Sequence, residues 1–146
     1  MASYVTVAQF FQYGGLPPEA VQNLSNAQIQ GMLDAVSTTW DAKFRSRYNP
    51  NVGTGVQVLA TWDIDVIRGI SHVTAADIME MRGYNPEAGA DNIYERRRER
   101  AEKWLDEVQQ QRAHPNVTPT QGAVAGTVFP TVNTQCERGW GGRRAG

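Results

Sequence analysis

Asp63, Asp65, Ser71 and His72 are the residues whose types and spacing come nearest to a reactive arrangement. A hydroxyl, an imidazole and a carboxylate can make a nucleophile, its base and the group that orients the base, provided all three converge. Asp63 and Asp65 stand two residues apart, which on a helix turns them in different directions and denies them a shared cation. Asp65 and His72 fall two turns apart on one face, a spacing that suits a structural hydrogen bond, and Ser71 beside His72 has no third member. His114 stands alone at the edge of the domain. Gly53-Thr54-Gly55 has neither the length nor the lysine of a phosphate loop. Cys136, the single cysteine, sits in a glycine-rich stretch without His or Cys neighbours, which leaves an intermolecular bond as its one minor chemical option. The expectation is a protein that is not an enzyme and uses no cofactor and no metal.

The elements that would position these residues read as helices. Thr6 and Gln9 form a capping box opening a short helix through Tyr13, closed by Gly14-Gly15, and Leu16-Pro17-Pro18-Glu19 starts another turn. Ser25 and Gln28 form a second box before Ile29, Leu33, Val36, Trp40 and Phe44, spaced three and four apart, which predicts a core-facing helix to Arg47. Residues 56–82 carry Leu59, Trp62, Val66, Ile70, Val73 and Ile78 or Met81 on one side, so they predict a long central helix with Gly69 as a soft point. The alternative is a break with a fresh cap at Thr74. Residues 91–112 predict a last helix with Ala101, Trp104, Leu105 and Val108 inside and a four-residue ion pair from Glu99 to Lys103. The fold class expected is all-α, a small helical bundle over residues 1–113 with a long central helix, followed by an extended arm over residues 114–146.

Charge divides unevenly along the chain. Residues 1–113 hold 11 basic against 14 acidic side chains, a net −3, whereas residues 114–146 hold three arginines against Glu137, a net +2. An acidic body is poorly suited to gripping nucleic acid, whose affinity rests on neutralising several phosphates together. It would suit a wall along which DNA slides. A DNA reader over residues 56–83 would display Asp77, Met79, Glu80 and Met81, poor groups for base edges. No apolar run reaches the length of a bilayer span, and the start Met1-Ala2-Ser3-Tyr4 has no secretory pattern, so a cytoplasmic site of assembly is expected.

Two segments read as contact surfaces. Glu95, Arg96, Arg97, Arg98, Glu99 and Arg100 are polar on every side of their helix, which leaves open a solvated face or ion pairing between adjacent subunits. In the arm, Val124, Val128 and Val132 could lie extended on a partner, with Pro130 interrupting the ladder, and Trp140 among Arg138, Arg143 and Arg144 could anchor it.

The turn Arg82-Gly83-Tyr84-Asn85-Pro86-Glu87-Ala88-Gly89-Ala90-Asp91-Asn92 gathers a left-handed cap at Gly83, a stop at Asn85-Pro86 and a new N-cap at Asp91 or Asn92. With Tyr4-Val5-Thr6-Val7-Ala8-Gln9-Phe10-Phe11 and Leu24-Ser25-Asn26-Ala27-Gln28-Ile29, it resembles the small head-to-tail joining proteins of Mu-like phages and prophages, over about residues 3–113. The resemblance implies a virion neck protein, assembled in the host cytoplasm. It would form a homo-oligomeric ring of twelve copies under the portal protein, contact a tail-side stopper or tail-completion protein, and let genomic DNA pass through its lumen without a membrane partner. It also implies that the arm docks on the portal, a role carried onto Val128, Phe129, Val132, Arg138, Trp140, Arg143 and Arg144. The rival readings are a small helical DNA-binding regulator, another ring of the neck, and a small phage enzyme or its accessory subunit.

Overall fold

The computed structural model describes residues 3–48, 56–83 and 92–120, which form five helices and one two-stranded sheet. Helix α1 (Val7–Tyr13) opens on the expected box, with Gln9 N–H donating to Thr6 Oγ1 at 3.2 Å and Thr6 N–H to Gln9 Oε1 at 3.0 Å. The short α2 (Pro18–Val21) starts with proline at its first position, where no amide hydrogen is needed. Helix α3 (Asn26–Arg47) begins on the Ser25–Gln28 box and buries Ile29, Leu33, Val36, Trp40 and Phe44, the stripe that its spacing predicts.

Residues 56–63 depart from the expected single helix. Strand β1 (Leu59–Thr61) precedes helix α4 (Ile64–Met81), which starts at Asp63, whose Oδ1 accepts from Asp65 N–H at 3.1 Å. The backbone of this stretch is claimed by distant partners: Val58 N–H donates to Asp41 Oδ1 at 2.8 Å and Val58 O accepts from Thr120 N–H at 2.6 Å. Extended backbone bonded to these partners outweighs the weak helical spacing of Leu59, Trp62 and Val66. Thr74 marks no break, since α4 runs through it and its hydroxyl donates to Ile70 O at 2.9 Å. Central placement holds for α4, which packs against α1, α2, α3 and helix α5 (Asn92–Gln109).

Helix α5 turns Ala101, Leu105 and Val108 into the core beside α3 and α4, with Trp104 half-buried. Gln111, at φ +64°, ends the helix, and the chain then folds back over the body. Strand β2 (Thr118–Pro119) pairs antiparallel with β1, Asn116 N–H donates to Asp63 Oδ2 at 3.1 Å, and Ala113 and Val117 pack on the core. Residues 114–120, assigned to the arm from composition, therefore lie on the body as a strap. The rest of the arm, including Val128, Phe129, Val132, Cys136, Arg138, Trp140, Arg143 and Arg144, falls outside the described residues, as does the turn beyond Gly83. Gly83 itself has the left-handed φ, +77°, that its place after α4 requires.

The architecture is all-α with a minimal β ribbon, around a core of Tyr4, Phe10, Ile29, Leu33, Trp40, Phe44, Leu59, Ile70, Ile78 and Leu105. Among the described residues no helix is long and apolar enough to cross a membrane.

Candidate functional site

Helices α4 and α5 lie side by side, and α5 shows arginines in two directions. On one side, Asp65, Arg68, Gly69 and His72 of α4 face Arg97, Arg100, Ala101 and Trp104 of α5 across an open cleft of about 350 Å³. The spacings are helical, residues 65, 68, 69 and 72 on one element and 97, 100, 101 and 104 on the other, so each set forms one face. Trp104 lines the cleft and also neighbours Trp40, with ring centroids 6.1 Å apart.

Electrostatics in this cleft are one-sided. Arg68, Arg97 and Arg100 form no ion pair with any described residue, although Asp65 is close enough to line the same space. His72 sits half-buried among them. Burial, then the charges of Arg97 and Arg68, hold its pKa below the ordinary imidazole value, while a hydrogen bond to the Tyr13 backbone opposes them and Arg100 adds a smaller downward push. The expected pairing of Asp65 with His72 is not among the hydrogen bonds of the described residues.

On the opposite side, Arg98 points toward α4 and is only 17% exposed. Its Nη1 lies 2.7 Å from Glu80 Oε1, Nη2 lies 3.3 Å from Asp77 Oδ1, and Glu95 stands 4.0 Å away. Nη2 and Nε find no hydrogen-bond acceptor among the described residues, so Glu80 makes the close contact and Asp77 acts as a neighbouring charge. Burial raises the Asp77 pKa, Arg98 pulls it back down, and Glu80 and Glu95 raise it further.

The run 95–100 is thus divided by its own helix. Arg98 is engaged within the chain, Arg97 reaches over Gly15, and Arg96, Glu99 and Arg100 are exposed. The expected Glu99–Lys103 pair is absent among the described residues; Lys43 and Asp106 instead bridge α3 and α5 at 2.7 Å. Sequence reasoning named Arg97 and Arg100 for an outward contact and overlooked their convergence with Arg68, His72 and Trp104. The two helical stripes were a readable signal, but their facing each other is a property of the packing.

A second polar centre is internal. Asp41, 3% exposed on α3, accepts from the Tyr4 hydroxyl and Val58 N–H, and Arg45 approaches its other oxygen at 3.3 Å. Leu59 N–H donates to the Tyr4 hydroxyl at 3.3 Å, and Trp62 Nε1 donates to Tyr4 O at 2.9 Å. Each member has a structural partner, so this centre works as a clamp joining the amino-terminal segment, α3 and β1.

Ser71 is fully buried on α4 and does not face a base with His72. No cluster of three His, Cys, Asp or Glu side chains suited to a metal ion occurs among the described residues. Compared with protein-family models, curated proteins and solved structures, the chain matches none.

Proposed function

We propose that the chain is a structural component of a phage particle, a head-to-tail connector whose copies close into a ring beneath the portal and give genomic DNA a path to the tail. The observation that carries this reading is the outward face of α5. Arg96, Glu99, Glu102 and Lys103 are exposed there, with both charge signs on a helix whose inner side is already filled by its own core. A surface of that kind can meet the like surface of another copy with charges matched. A second feature lies at the end of the α4–α5 hairpin, where Met81 and Ile93 are 66% and 45% exposed, an apolar pair suited to a neighbour.

In this reading the body supplies the ring wall, twelve copies set the portal symmetry, and residues 121–146 form the arm that attaches each copy to the portal. Many weak identical contacts around a ring give firm attachment through avidity. A tail-side stopper or tail-completion protein would sit on the opposite face.

The experiment is imaging of the neck of the particle that carries this chain. The expected result is a collar of twelve helical bodies below the portal, each sending its carboxy-terminal segment to portal density. A neck without this collar refutes the reading, and salt-dependent binding of duplex DNA by the purified protein would favour the regulator instead.

A further inference from the structure

The cationic cleft is not accounted for by a connector role, and its capacity to bind is independent of that role. Arg68, Arg97 and Arg100 converge on about 350 Å³ of open space, a size within the range of small-molecule clefts. Among the described residues Asp65 is the one carboxylate lining it, so with His72 neutral that lining carries a formal charge of three arginines less one aspartate, +2. Like charges held together without matching carboxylates repel one another, and a ligand of opposite charge relieves that repulsion.

We propose that this cleft binds a nucleotide unit, with Arg68, Arg97 and Arg100 holding the phosphate oxygens and Trp104 presenting its ring to the base. The charge excess of +2 matches a phosphate monoester dianion better than a single carboxylate. Guanidinium groups offer forked donors that fit phosphate oxygens in pairs. Trp104 adds a flat apolar surface beside the cations, the combination by which proteins hold phosphate and base together.

Arg97 is positioned in advance by the turn between α1 and α2. A Cβ on Gly15 would lie 2.5 Å from Arg97 Nη1, and Gly15 has φ +72°, so the glycine provides both the turn and the room for the guanidinium. Tyr94, one turn before Arg98 on α5, donates its hydroxyl to Gly15 O at 3.4 Å and ties the same turn to the helix. The chain's own residues 121–146, with a net charge of +2, are poorly suited to fill a cationic cleft.

The test uses the full-length protein with adenosine monophosphate, inorganic phosphate, adenosine, a short single-stranded oligonucleotide and an acidic peptide as probes. Binding is measured by calorimetry, and the His72 ring resonances report from inside the cleft. Among the Asp65, Arg68, Arg97 and Arg100 charges that face it, His72 should gain proton affinity when a dianion binds. Adenosine monophosphate should bind at least about tenfold more tightly than inorganic phosphate, and adenosine should not bind measurably, because the cations supply most of the attraction. Arg97→Gln with Arg100→Gln should weaken nucleotide binding by about a hundredfold at an unchanged melting temperature. An oligonucleotide that outcompetes the mononucleotide identifies a nucleic-acid strand as the source, and the reverse order identifies a free nucleotide. Unmoved His72 resonances with every phosphate probe overturn the proposal, as does preference for the acidic peptide or binding that the double substitution leaves intact.

Discussion

The Trp40 indole of α3 ends against the backbone of Gly69 in α4, where a Cβ would run into Cη2 and lie 2.9 Å from Cζ3. Gly69 is therefore the seat of the largest side chain in the α3–α4 interface, and its lack of a side chain is a packing requirement. Gly69→Ala sets two effects in opposition: alanine gains about 1 kcal/mol of helix propensity, and overpacking a filled core costs about 1–3 kcal/mol. The contact is with a large, buried ring, so the cost wins. Denaturant unfolding should show a net loss of up to about 2 kcal/mol, and Trp40→Phe in the same chain should recover part of it.

The Tyr4–Asp41 clamp gives a second expectation. Asp41→Ala leaves the Tyr4 hydroxyl and Val58 N–H buried without their acceptor, at a cost of about 2–5 kcal/mol. Tyr4→Phe removes the hydroxyl itself and leaves Asp41 with Val58 and Arg45, so about 1–2 kcal/mol is expected. Burial and the bond to Asp41 raise the Tyr4 pKa above its unfolded value of about 10, so its stabilising contribution is complete below pH 10 and declines as pH rises past it. Alkaline unfolding followed by circular dichroism should be steeper in the natural chain than in Tyr4→Phe.

Arg98 tests the α4–α5 contact. Its carboxylate partners Asp77 and Glu80 are 40% and 53% exposed, so solvent screens the pairing and Arg98→Ala should cost only about 1 kcal/mol. The more specific signature is the Asp77 pKa, which should climb further once the guanidinium is gone. A carboxyl whose folded pKa lies above its unfolded one stabilises below the unfolded pKa and loses that contribution as pH rises through the folded value. Asp77→Asn should therefore restore stability to Arg98→Ala near neutral pH, and carboxyl chemical shifts against pH would detect the change directly.

Truncation separates the strap from residues 121–146. A chain ending at residue 120 keeps the β1–β2 pairing, the Asn116–Asp63 bond and Val117 on the core, and should melt close to the full-length protein. Ending at residue 113 removes these contacts and frees the Val58 carbonyl, which should lower stability by about 1–3 kcal/mol. Equal melting temperatures for the two truncations would show that the strap contributes nothing to the fold.

What the sequence determined by itself is local. The two capping boxes, the α3 stripe from Ile29 to Phe44, the inner side of α5 and the left-handed Gly83 depend on residues within a turn or two of one another, and local spacing encodes them. The tertiary structure decided the rest, because the deciding partners are far apart in the chain. Residues 56–63 become β1 and a cap because Val58 meets Thr120 and Asp63 meets Asn116, more than fifty positions away. Gly69 changes from a soft point into a seat only because Trp40 arrives from another helix. Arg97, Arg98 and Arg100 look equivalent in sequence, yet a rotation of about 100° per residue sends Arg98 toward Glu80 and the other two toward Arg68 and His72 once α4 is beside them.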